Sequence, residues 1–288
     1  MDEEKIQMKI AIMTDSTAYI PTSLIEKYHI YSVPLNVQFN EESYQEGIEL
    51  GPVEFYEKMN STGVYPKTSQ PAVGDFLHTY REIAKEYDAV ISLHISSGIS
   101  GTYQTARTMQ QEIEDLEIYP FDTEITTIVQ GYLVIEAAKL AEQHKTPEEI
   151  IEHLTDLRRL MRVYFMVDDL GHLQRGGRLS HAQAMLGNLL KVKPLLYFRD
   201  TKIQVFEKIR TKKRAIKRIM DMLYEDAEQD NIRVVFWIYA DDEHDVHSLR
   251  TEFEEKYPHI KTETSYFGPV IGTHLGAGAI GVGWYKKS

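Results

Sequence analysis

Ala89-Val90-Ile91-Ser92-Leu93-His94-Ile95, followed at once by Ser96-Ser97-Gly98-Ile99-Ser100-Gly101-Thr102, is the stretch on which the fold turns. The first seven residues are a short, mainly apolar run closed by a polar, glycine-containing loop, which is the pattern of a buried strand. Ahead of it, Leu77, Tyr80, Ile83, Ala84 and Tyr87 recur from Phe76 onward at helical spacing. Behind it, Ala106, Met109, Ile113 and Leu116 predict a helix across Gly101 to Leu116. Helix, strand and helix in succession predict a parallel sheet and hence an α/β fold. Working outward, Lys9 to Thr14 reads as a first buried strand ending at the polar turn Asp15-Ser16-Thr17, and Ile118 to Phe121 as a short strand. Ile125 to Gln143 reads as a long apolar helix. Tyr31, Val33, Leu35, Val37 and Phe39 alternate with polar residues or Pro34, predicting one half-wet strand that the proline places at a sheet edge.

Thr146-Pro147-Glu148-Glu149 is a capping box with proline at the first helical position, so a new helix runs from there to about Met161. The 288 residues exceed one domain of about 150, and the first domain is placed at 1–161 and the second at 162–288. The second reads as a further α/β unit. It begins with a strand near Tyr164 to Val167 and a turn at Gly176-Gly177, followed by a hairpin of Pro194 to Phe198 with Lys202 to Lys208. A helix from Lys212 to about Ala227, a strand from Arg233 to Tyr239, a helix from Glu243 to Tyr257 and two last strands complete it.

Composition narrows the function. With no cysteine, disulfides, thiolate catalysis and cysteine zinc sites are excluded. The acidic start MDEEKIQMKI lacks a signal-peptide pattern, and the longest apolar runs fall far short of the ~20 residues a spanning helix needs, so a cytoplasmic protein without a transmembrane segment is expected. A net charge of −12 argues against general nucleic-acid binding.

Three stretches are candidate chemistry. Thr68 and Ser69, inside Lys67-Thr68-Ser69-Gln70-Pro71, either donate to an anion or cap the next helix. Ser96 to Thr102 follows a strand and opens a helix, where inward N–H groups and the helix dipole would favour a carboxylate or phosphate; the alternative is a tight turn without a ligand. In the glycine-rich end, Gly276, Gly278 and Gly281 fit G-x-G-x-x-G, but the acidic residue ~20 positions later that a dinucleotide site needs cannot exist so near the terminus. His274 is the titratable group in that stretch. A local basic run, Arg210-Thr211-Lys212-Lys213-Arg214-Ala215-Ile216-Lys217-Arg218, stands out in an acidic chain, with Arg175, Arg178, Lys191 and Lys193 nearby in sequence. It suits an acidic partner or nucleotide phosphates, or is a solvated helix face. The acidic cluster Asp241 to His247 reads as an exposed helix start rather than a metal site.

Met13-Thr14-Asp15-Ser16-Thr17, Thr68-Ser69-Gln70-Pro71, Ser96 to Tyr103, Arg175-Gly176-Gly177-Arg178-Leu179, Arg210 to Ala215 and Gly268-Pro269-Val270 through Gly276, in this order, resemble the DegV family. Within it they are nearest to the FakB fatty-acid-binding subunits of bacterial fatty acid kinase. The resemblance covers about 9–288. It implies a two-domain DegV-like fold, an N-terminal parallel-sheet domain and a C-terminal α/β domain, with lipid bound between them. It also implies that Thr68 and Ser97 hydrogen-bond the carboxylate, with Ser96 and Ser69 beside them and His274 in the surrounding network. Arg178, Arg210, Lys212 and Lys213 would form a charged rim where an ATP-dependent kinase subunit docks.

The expectation is a carrier with no cofactor and no metal that presents a long-chain fatty acid for acyl-phosphate formation feeding phospholipid synthesis. A small-molecule kinase or phosphatase using the Ser96–Thr102 loop as a phosphate site, and a purely protein-binding module, are the alternatives.

Overall fold

The computed structural model describes residues 8–179 and 193–287. The first half is built on a fully parallel sheet in the order β2-β1-β6-β7, from β1 (Ile10–Asp15), β2 (Tyr31–Val33), β6 (Ala89–His94) and β7 (Glu117–Asp122). Every residue of β6 is buried, as its apolar run requires. The helices α1 (Thr22–Tyr28), α2 (Pro52–Thr62), α3 (Val73–Ile83), α4 (Thr102–Met109), α5 (Thr127–Glu142) and α6 (Pro147–Arg159) surround it. The capping box at Thr146 and Glu149 is formed in both directions.

The run from Tyr31 to Phe39 is not one strand. Pro34 has no N–H to continue the ladder, so the chain leaves the parallel sheet after Val33. It re-enters as β3 (Asn36–Phe39) in a separate small sheet with β4 (Glu42–Gln45) and β5 (Lys67–Ser69), in the order β4-β3-β5. α4 is likewise shorter than its periodicity predicts: it stops at Met109, and Ile113 and Leu116 reach the core from a turn and the lead-in to β7.

The second half carries a six-stranded mixed sheet, β10-β9-β8-β13-β11-β12. Its strands are β8 (Met161–Met166), β9 (Leu195–Arg199), β10 (Lys202–Glu207), β11 (Ile232–Tyr239), β12 (Lys261–Tyr266) and β13 (Ile280–Lys286). Only the β11–β12 pair is parallel, the rest being antiparallel. The helices are α7 (Leu170–Arg175), α8 (Lys212–Glu228), α9 (His244–Lys256) and α10 (Pro269–Leu275). A single apolar cluster joins Ile91, Leu93 and Val129 of the first half to Phe165, Phe236 and Ile271 of the second, so the main core lies where the two halves meet. No helix among the described residues is long and apolar enough to cross a membrane.

Candidate functional site

A cavity opens inside this shared core, lined by residues of both halves. Its wall is mainly aliphatic and aromatic, including Ile95 and Ile125 from the first half and Val163, Phe165, Phe198 and Ile238 from the second. Polar groups in the wall come from β5 and the residue after it (Thr68, Ser69, Gln70), the loop after β6 (Ser100), the turn after α7 (Arg178) and α10 (His274).

Thr68 is held by pairing with Val37 of β3, and its Oγ1 lies 2.8 Å from His274 Nε2 on α10. Thr68 and Ser69 do not cap α3, whose N-cap is Ala72 without a side-chain bond. Burial above all, then the nearby Arg178 charge and His172, push the His274 imidazole down to about 3, so the ring is neutral near pH 7. Its Nδ1 is sealed and has no hydrogen-bond partner. A Cβ on Gly176 would stand 2.2 Å from that nitrogen; glycine is required there by close approach. A neutral imidazole carries one N–H. An orphaned lone pair costs less than an orphaned donor, so Nε2–H donates to Thr68 Oγ1, leaving the Thr68 O–H to donate into the cavity.

Arg178 is half-buried. Its guanidinium donates to the carbonyls of Ile99, at 3.1 Å, and Gly176, and among the described residues no carboxylate pairs with it. Burial lowers its pKa, yet an arginine stays charged. The cavity wall therefore contains a cation in want of an anion.

The loop after β6 is arranged differently from a phosphate cradle. The N–H of Ser97 donates to Asp122 Oδ1, those of Ile99 and Ser100 to the Ser96 carbonyl, and that of Thr102 to Ser100 Oγ. These donors are taken, one by a carboxylate that would repel an anion. The loop glycines serve packing: a Cβ on Gly98 would stand 2.2 Å from the Thr201 carbonyl oxygen, and one on Gly101 2.0 Å from Gln70 Oε1. The Ser96 hydroxyl donates to the Thr201 carbonyl at 2.6 Å, tying the β9–β10 turn to the loop. Ser97 is exposed. Neither side chain lines the cavity, whereas Ser100, part of the same candidate stretch but not singled out within it, does.

The basic run does not act as one patch. Lys212 Nζ reaches Asp245, at 3.2 Å, and the Gly278 carbonyl, so it holds α8 to the start of α9. Lys217 and Arg218 pair with Asp221 and Glu207. Lys193 pairs with Asp168, and Arg175 stacks 3.7 Å over the Tyr65 ring. Arg210 and Lys213 are exposed, and Lys191 lies outside the described residues. The glycine-rich end runs from helix α10 into strand β13, the reverse of a dinucleotide-binding turn. Among the described residues no group of His, Asp or Glu is arranged to hold a metal.

One further group was not read from the sequence. Glu46 is buried and accepts from Ser16 Oγ at 2.6 Å, Tyr19 OH at 3.0 Å and the Val270 N–H at 2.8 Å, in the first turn of α10. Burial raises its carboxyl to about 7, against the lowering by these donors.

An α/β chain whose two larger sheets enclose a mainly apolar cavity with hydroxyl, imidazole and guanidinium groups in its wall has the form of a ligand-binding protein, and its relatives say of which class. The DegV family model matches residues 9–287, and the chain belongs to that family. Protein DegV of Bacillus subtilis (strain 168) is 49% identical over 281 residues, covering 97% of this chain and all of the relative. The crystal structure of DegV, a fatty acid binding protein from Bacillus subtilis, superposes with a TM-score of 0.93 at 48% identity, over 97% of this chain and 100% of that one. A fatty-acid-binding DegV family protein from Thermus thermophilus gives 0.87 at 33% identity, with coverage of 97% and 100%. A stearic acid-binding protein from Eubacterium ventriosum gives 0.85 at 25%, with coverage of 96% and 98%.

Proposed function

We propose that this protein binds one long-chain fatty acid in the cavity between its two halves and presents the carboxylate to a separate ATP-dependent fatty acid kinase. The observation that carries the reading is the half-buried Arg178 guanidinium with no carboxylate partner among the described residues, in the wall of a mainly apolar cavity. The fatty acids bound by the relatives support it. Burying each CH₂ contributes about 0.8 kcal/mol, so a chain of about sixteen carbons yields on the order of 10 kcal/mol gross. Association and ordering reduce that to a tight, releasable complex.

The carboxylate accepts from Thr68, oriented by His274, and sits beside Ser69, Ser100 and Arg178. Ser96 and Ser97 have an indirect part, through the loop that Ser96 fastens to Thr201. A neutral His274 is the useful state, because it fixes the hydroxyl without competing for the anion. The exposed Arg210 and Lys213 form the docking rim with Arg178, while Lys212 braces the helix that carries Lys213. The carrier lends the kinase an oriented nucleophilic oxygen; phosphoryl transfer from ATP to it gives an acyl phosphate for phospholipid synthesis in the cytoplasm.

Native mass spectrometry of the freshly purified chain, followed by lipid extraction, tests the first half of this reading. A one-to-one fatty acid mass that falls in Thr68→Val supports it. A clean wild-type chain that also takes up no added fatty acid refutes it. Incubation with the kinase and ATP tests the second half: acyl phosphate is expected only when both proteins are present.

A further inference from the structure

The cavity has a second polar feature. Thr126 occupies the N-cap position of α5, a 16-residue helix, yet its side chain makes no capping bond. Its Oγ1 is buried without any hydrogen-bond partner, and the residue is 5% exposed. Thr126 lines the cavity, next to Ile125 and Thr127. Thr127 has its hydroxyl turned back onto the Thr126 carbonyl and holds φ at 66°, a left-handed conformation that a β-branched residue rarely adopts. A hydroxyl buried in an aliphatic wall without a partner is a group that a ligand oxygen can satisfy and a plain methylene cannot.

We propose that the acyl chain this protein prefers carries a hydroxyl group that meets Thr126. The inference rests on the fatty-acid reading above and narrows its substrate class. An unsubstituted chain occupies the same cavity but leaves Thr126 Oγ1 unpaired. A hydroxylated chain gives up its own water partners and regains one bond, while the protein loses an unsatisfied group. The α5 N-terminus, with its first N–H groups unpaired within the helix, adds a favourable potential for the ligand oxygen.

The test measures the affinity of the delipidated protein for stearic acid and for a set of monohydroxystearic acids that differ only in hydroxyl position. The wild type, Thr126→Val and Thr126→Ser are compared. In the wild type, one positional isomer is expected to bind about tenfold more tightly than stearic acid, the ratio one neutral hydrogen bond supplies. Thr126→Ser keeps this preference, while Thr126→Val loses it and binds stearic acid at least as well as the wild type, which also shows that the variant is folded. Equal or weaker binding of every hydroxylated isomer by the wild type overturns the inference, as does a preference that survives Thr126→Val. Failure of the wild type to bind stearic acid or any isomer refutes the fatty-acid reading itself.

Discussion

Two histidines in this chain, His94 and His274, show how similar residues serve different ends. His94 stands on β6 with both ring nitrogens occupied: Nδ1 is 3.1 Å from Asp15 Oδ2 and Nε2 is 2.7 Å from Ser92 Oγ, which continues to Tyr80 OH at 2.8 Å. Burial raises Asp15, but its bond to and attraction by His94, with Thr17 and the Ile95 N–H, bring the net shift below the ordinary carboxylate value. Serine, histidine and aspartate are in the order of a nucleophile relay. Yet Ser92 and His94 are 0% exposed and outside the cavity wall, so no substrate reaches them. His274 has one nitrogen bonded and one orphaned, and it faces a cavity. A satisfied network buried in the core stabilises structure, whereas incomplete satisfaction beside empty space marks a site.

Asp15→Ala removes the acceptor on which the buried His94 network rests. Leaving His94, Thr17 and the Ile95 N–H without their acceptor is expected to lower unfolding free energy by about 3–5 kcal/mol, read from urea midpoints. A loss below about 1 kcal/mol would remove the structural role assigned to His94.

The pH dependence sharpens the comparison next. Glu46 is raised to about 7 in the fold, so its contribution is complete below the unfolded value of about 4.5 and is lost as pH rises through 7, by about 3 kcal/mol. Glu46→Gln should therefore gain on the wild type by about that amount between pH 5 and pH 8. His274 is lowered to about 3 and acts in the other sense: stability is complete above its unfolded value near 6.5 and falls as pH drops toward 3.

Thr68→Val and Gly176→Ala attack the His274 side alone. Each is expected to weaken fatty-acid binding about tenfold, equivalent to about 1.4 kcal/mol, measured by displacement of a fluorescent fatty acid. Thr68→Val, which leaves the buried His274 Nε2–H without an acceptor, should also lower the urea midpoint, by about 1–3 kcal/mol in unfolding free energy. The smallest effects separate adjacent lysines: Lys212→Ala should cost up to about 1 kcal/mol, and Lys213→Ala should stay within about 0.5 kcal/mol in the same urea titration while weakening association with the proposed kinase partner.

How far the sequence could be read follows from what each element depends on. β1, β6 and β11 are apolar runs, and their burial is written in their residues. β5 is Lys67-Thr68-Ser69, with no apolar pattern, and exists because β3 pairs with it. Helix α10 is hidden in a stretch rich in proline and glycine. The hydroxyl and imidazole candidates were visible as residue types, but Ser97 and Ser100 differ only in the direction their loop takes, set by Thr201 and Gln70 from distant segments. Glu46 gave no signal at all, its partners lying 27, 30 and 224 residues away.

That last separation has a consequence for the life of the protein. Thr68 meets His274 across 206 residues, and Val270, the residue Glu46 grips, stands at the start of α10, ahead of β13. A chain emerging from the ribosome folds its N-terminal part first, and the parallel sheet can form while the partner of Thr68 is still untranslated. His274 is therefore supplied only after the parallel sheet has been made, and the polar part of the cavity wall is completed late in synthesis.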